Sequence, residues 1–122
     1  MKAVDILRKA RRAIVRCGNN RGGLGNRACG FCPMGAVAYA VEGPRKHLMT
    51  SFDVFNNIPL RYLIAASKEL APQDRFIEVD PVWKQKWQLV AFFNDKPGTT
   101  KADVLKLFDV AIRKANRRHV HG

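Results

Sequence analysis

The chain predicts an all-α fold, an irregular bundle of about five helices in a single domain. Apolar residues recur at helical spacing through most of its length, and cap and proline signals punctuate those runs. Only the segment FIEV, residues 76–79, looks like a strand, and one short strand has nothing obvious to pair with. At 122 residues the chain is long enough to bury roughly two-thirds of the surface its unfolded form exposes, so it needs no staple. No internal repeat and no linker divides it into two cores.

The first helix covers residues 3 to 16, with Ala3, Leu7, Ala10 and Ile14 on one stripe and Arg8, Arg12 and Arg16 stacked four apart on another. A glycine-rich loop, residues 17–30, follows. Pro33 suits the first turn of a second helix, Met34 to Glu42, and Gly43-Pro44 ends it. Its Gly35, Ala36, Ala38 and Ala40 would let a neighbour pack closely. A looser stretch from 44 to 58 holds one short turn around Phe52 to Phe55. Leu60, Leu63, Ile64, Ser67 and Leu70 describe a third helix, stopped by Pro72. Asp80 before Pro81 starts a fourth, whose face is Trp83, Trp87 and Val90 and whose end is NDKPG at 94–98. Thr100 and Asp103 form a capping box for the last helix, which buries Leu105, Phe108, Ile112 and Ala115. Residues 117–122 read as a frayed basic tail.

Charge is the unusual feature of the composition. There are 22 Lys and Arg against 10 Asp and Glu, a net charge of +12. Lys2, Arg8, Lys9, Arg11, Arg12, Arg16, Arg21 and Arg27 face a single acid, Asp5, within the first thirty residues, and Arg113, Lys114, Arg117 and Arg118 close the chain with no acid. The middle is nearly balanced, so the excess belongs to the two ends. The opening MKAVDILRKARR lacks the apolar run of a signal peptide, and no stretch approaches the length of a membrane span, which predicts a cytoplasmic protein. Three cysteines, an odd number, fit free thiols in a reducing compartment better than a disulfide framework.

The loop CGNNRGGLGNRACGFCPMG, residues 17–35, holds all the cysteines and admits several readings. CGFC at 29–32 has the spacing of a zinc knuckle, with Cys17 and His47 available to complete Cys17, Cys29, Cys32 and His47 as ligands, but structural zinc sites usually show two tight pairs. GLGNRA at 23–28 approaches the dinucleotide fingerprint, yet a basic helix precedes it where that motif requires a strand. No Gly-Lys-Ser/Thr follows, which excludes a Walker-type loop. Backbone N–H groups near Gly30 to Met34 open a helix and attract anions, with Arg21 and Arg27 as reinforcement. Cys32 at a helix start could be reactive, but a catalytic thiol needs a base, and the histidines are His47, His119 and His121. The plain reading is a flexible connection between helices.

DILRKA at 5–10, CPMGA at 32–36 and FNDKPGTTKADVLKLFDVAI at 93–112 resemble, over about half the chain in separate pieces, a family of small uncharacterised proteins of actinobacteria and bacteriophages. That family shows a first helix, a Cys-x-x-Gly-Ala segment, and an Asn-Asp turn leading into a Thr-capped final helix. The matching positions are Cys32, Gly35, Ala36, Asn94, Asp95, Thr99 or Thr100, Val104 and Leu105. This chain departs in its more basic first helix and its more glycine-rich loop. The resemblance implies a helical fold and a phage or prophage origin, and carries no biochemical role. Asn94 and Asp95 themselves read as a turn whose short polar side chains bond nearby backbone.

Two functions from different classes fit these observations. If the terminal helices are neighbours, Arg8, Lys9, Arg12, Arg16, Arg21, Arg27, Arg113, Arg117 and Arg118 form a patch for nucleic-acid phosphates. Alternatively, the same charge steers a phage-type inhibitor or adaptor onto an acidic host protein, with Trp83, Trp87, Phe92 and Phe93 as apolar contacts. Against both stands a merely solvated basic face. No catalytic constellation is visible, because Glu42, Glu69 and Glu78 are scattered and no thiol or hydroxyl has an evident base. A non-enzymatic module without cofactors is therefore expected. DNA, RNA or protein as partner, and the oligomeric state, stay open at this level.

Overall fold

The computed structural model describes residues 2–43, 52–75 and 86–121, the side chains of Arg75 and 118–121 excepted. The strand-like 76–79, the Asp80-Pro81 helix start, Trp83 and His47 lie outside the described residues. Five α-helices occur among those described: α1 Ala3–Cys17, α2 Pro33–Glu42, α3 Ile58–Leu70, α4 Gln88–Asp95 and α5 Lys101–His121. A 3₁₀ turn, Pro72–Arg75, follows α3, and a two-stranded hairpin, β1 Gly25–Asn26 with β2 Gly30–Phe31, sits between α1 and α2. No helix among the described residues is long and apolar enough to cross a membrane.

The core follows from which residues each helix turns inward. Val4, Leu7, Ala10, Ala13 and Ile14 of α1 are buried, and α1 packs on α2 and α5. On α2 residues 33–38 and Ala40 are all buried, so it is a central helix with no water-facing stripe except near Tyr39, Val41 and Glu42. Its small residues permit this. A methyl group at Gly35 would run into the Leu24 carbonyl oxygen, so the backbone of the loop lies directly against the helix. Leu60, Leu63 and Ala66 of α3 and Val90 and Phe93 of α4 close the core.

The last helix corrects the expected stripe. Val104, Leu107, Phe108, Ala111 and Ala115 are buried, whereas Leu105 and Ile112 are only half-buried. Its buried face is thus rotated about one position from the expected one. The start is as expected, since the Asp103 N–H donates to Thr100 Oγ1 at 3.2 Å and the Thr100 N–H donates to Asp103 Oδ2 at 2.9 Å. Thr99 turns inward instead, its hydroxyl donating to the Phe93 carbonyl at 2.9 Å.

The glycine-rich loop is not the flexible connection its composition suggests. Phe31 is fully buried in the core, its N–H donates to Gly18 O at 2.9 Å, and its carbonyl accepts from Asn20 N–H at 3.0 Å. Gly30 has φ +85°, and a Cβ there would stand 2.6 Å from Gly18 O. Only glycine fits so close a backbone crossing.

Candidate nucleic-acid interface

Helix α1 presents three faces. One enters the core. A second meets α5: Arg11 Nε donates to Asp109 Oδ1 at 2.8 Å, and Lys101 Nζ donates to Val15 O at 3.1 Å. Residue numbers rise on one helix as they fall on the other, so α1 and α5 are antiparallel neighbours. The third face carries Lys9, Arg12 and Arg16. Together with Ala13 and Cys17 of α1, Arg27 of the hairpin turn and Tyr39 of α2, these line a recess of about 390 Å³.

Each wall has a local cause. The seven helical steps from Lys9 to Arg16 advance roughly 10 Å, so the row of cations spans more than one phosphate. Arg27 is held by its turn, where Asn26 Oδ1 accepts from the N–H groups of Ala28 and Cys29, both at 2.9 Å. Tyr39 is half-buried, with its ring centroid 4.9 Å from that of Phe31. No acidic side chain lines the recess. Lys9, Arg12, Arg16 and Arg27 have no carboxylate partner among the described residues.

The other expected contacts are not part of this recess. Arg8 lies 3.9 Å from Asp5 Oδ1. Arg21 is exposed and does not line the recess. Arg113 reaches Glu69 Oε2 at 3.1 Å and Lys114 reaches Glu69 Oε1 at 3.0 Å, so these cations tie α5 to α3. The Lys114 hydrogen bond, helped by the charges of Arg113 and Arg117, holds the Glu69 carboxyl below the usual carboxylate range. Arg117 is exposed, and the Arg118 side chain lies outside the described residues. Tyr39 went unmarked in the sequence. The signal for it is a lone aromatic ring in a helix that is otherwise small or apolar up to its closing Glu42.

A polar clamp fixes the loop that carries Arg27. Asn94, fully buried near the end of α4, accepts from Asn19 Nδ2 at 2.8 Å and donates to Asn20 O at 2.8 Å and to Asp95 Oδ1 at 2.9 Å. Asp95 Oδ1 also accepts from Gly22 N–H at 3.0 Å. The bonds to Asn19, Asn20 and Gly22 span more than seventy residues of chain, which corrects the expectation that these side chains bond only nearby backbone. The start of α2, expected to attract anions, is covered. Residues 30–36 are buried, and the Gly35 N–H is taken by Cys32 Sγ at 3.3 Å.

The three thiols differ in setting. Cys17 is half-buried at the recess, Cys29 exposed and Cys32 buried. Among the described residues no three His, Cys, Asp or Glu side chains are grouped to hold a metal ion.

No curated protein and no solved structure matches the chain. A family model does, over residues 1–114, a span that includes the recess and the clamp. The chain therefore belongs to DUF6197, a family of unknown function.

Proposed function

We propose that this protein is a small, non-enzymatic nucleic-acid-binding module of the cytoplasm, phage- or prophage-encoded, that contacts phosphates through Lys9, Arg12, Arg16 and Arg27. One observation supports this above the others: four cations from two elements line one recess with no carboxylate among them. Arg11, Arg113 and Lys114, by contrast, each pair with a carboxylate on a neighbouring helix. Leaving four side by side costs mutual repulsion, which an anionic ligand relieves. Phosphate contacts supply affinity without choice of sequence, so binding should be general and steeply salt-dependent.

The test is fluorescence anisotropy with a labelled single-stranded oligonucleotide across a salt series. Four phosphate contacts give a slope of log K against log salt of about −3. The triple change Arg12→Glu, Arg16→Glu, Arg27→Glu should abolish retention, while Arg61→Glu on the exposed face of α3 should leave it intact. Retention by the triple variant sinks the reading. So does recovery from host lysate of one acidic protein, unchanged by nuclease and lost in the triple variant, which would make the recess a protein-docking site.

A further inference from the structure

We infer that the recess accepts one unpaired nucleotide, its phosphates on the arginines and its base on Tyr39, so that the preferred ligand is single-stranded nucleic acid. This rests on the phosphate reading above and adds the part of the ligand that the cations cannot see. A flat basic helix face would suit a duplex, whose phosphates lie on the outside of a rigid cylinder. The site here is concave. Its volume of about 390 Å³ falls in the range of small-molecule sites. A paired base is held inside the duplex stack and enters a recess only after unpairing, whereas a single strand turns its bases outward freely.

Tyr39 is the aromatic ring among the recess walls. It is backed by Phe31, tilted 33° at 4.9 Å, and Phe31 is itself fully buried. That backing fixes the ring before any ligand arrives, so little side-chain freedom is lost on stacking. A base laid on a pre-set ring beside arginines is the arrangement by which single strands are bound without sequence readout. Arg27 approaches from the hairpin turn and Lys9, Arg12 and Arg16 from α1, so the backbone of the strand has cations from two elements to follow.

The experiment uses the full chain at fixed salt with a single-stranded DNA, a single-stranded RNA of the same sequence, and the blunt DNA duplex. Loss of one base stack corresponds to roughly a tenfold drop in affinity. The single strands should therefore bind about tenfold or more tighter than the duplex. Tyr39→Leu should erase that difference by weakening only single-strand binding, with an unchanged salt slope, and Tyr39→Phe should restore it because the ring is kept. Should Tyr39→Leu fail to fold, quenching of a 2-aminopurine base in the single strand on adding unaltered protein decides instead: quenching supports the stack, and none overturns it. Equal binding of strand and duplex, with Arg12→Glu/Arg16→Glu still abolishing both, overturns the inference and leaves the phosphate reading standing. Binding that survives the arginine reversals removes both.

Discussion

Asn94 is fully buried, and its amide oxygen and nitrogen both bond to the loop after α1, so a single side chain joins α4 to a segment over seventy residues away. Removing a buried partner leaves Asn20 O and Asn19 Nδ2 short of a bond each, and each such loss costs about 1–3 kcal/mol. Asn94→Ala should therefore lower stability by about 3 kcal/mol, read as a fall in the urea midpoint with the slope unchanged. A fall no larger than that of an exposed substitution would show the clamp to be incidental. The residue itself was visible in the sequence through its place beside Asp95, but only as a turn. Short polar side chains bond nearby backbone often enough that a local reading wins by default, and nothing in residues 93–98 encodes a partner at 19 or 20.

At the scale of elements, the helices were legible because their signals are local: apolar spacing for α1 and α3, proline for α2, and reciprocal caps for α5. The Thr100–Asp103 pair allows a test with a sign. The Thr100 N–H first, then its side chain, holds the Asp103 carboxyl below its ordinary range. A group whose value is lowered on folding contributes stability that is present above its unfolded value near 4 and disappears as pH falls through the folded value. Thr100→Ala should cost about 1 kcal/mol at pH 7, shrinking as the medium is acidified toward pH 2, and Asp103→Asn should flatten the same acid limb. Equal losses at pH 7 and pH 2 would show that the Thr100 side chain acts independently of the Asp103 charge. The hairpin was not legible, since two-residue strands carry no alternation and glycine-rich composition suits a slack loop just as well. What distinguishes them is Phe31, the last residue of β2, which is fully buried in the core. Phe31→Ala should lose about 3–5 kcal/mol in chemical denaturation, the cost of a core position and far beyond that of a loop residue.

For the whole molecule, charge was readable in amount and in its place along the chain, but not in its pairing. Which cations are neutralised depends on helix packing: Arg11 finds Asp109 across the antiparallel α1–α5 contact, and Arg113 and Lys114 share Glu69. Lys9, Arg12, Arg16 and Arg27 are left together at the recess, so the folded state carries a local repulsion that the expanded chain largely escapes. Two consequences separate this from a uniform surface charge. A polyphosphate that bridges the recess should stabilise the fold as a ligand does, by about 2.7 kcal/mol at a hundredfold excess over its dissociation constant, or on the order of 10 °C in Tm for a chain of this size. Sodium chloride at equal ionic strength should give a smaller rise, because screening softens the repulsion without binding. In Arg12→Ser/Arg16→Ser the tripolyphosphate effect should vanish while Tm without added anion stays level or climbs. Identical Tm gains from tripolyphosphate in the variant and the unaltered chain would mean that the anion reads net charge alone, and that the convergence of these four side chains has no energetic meaning.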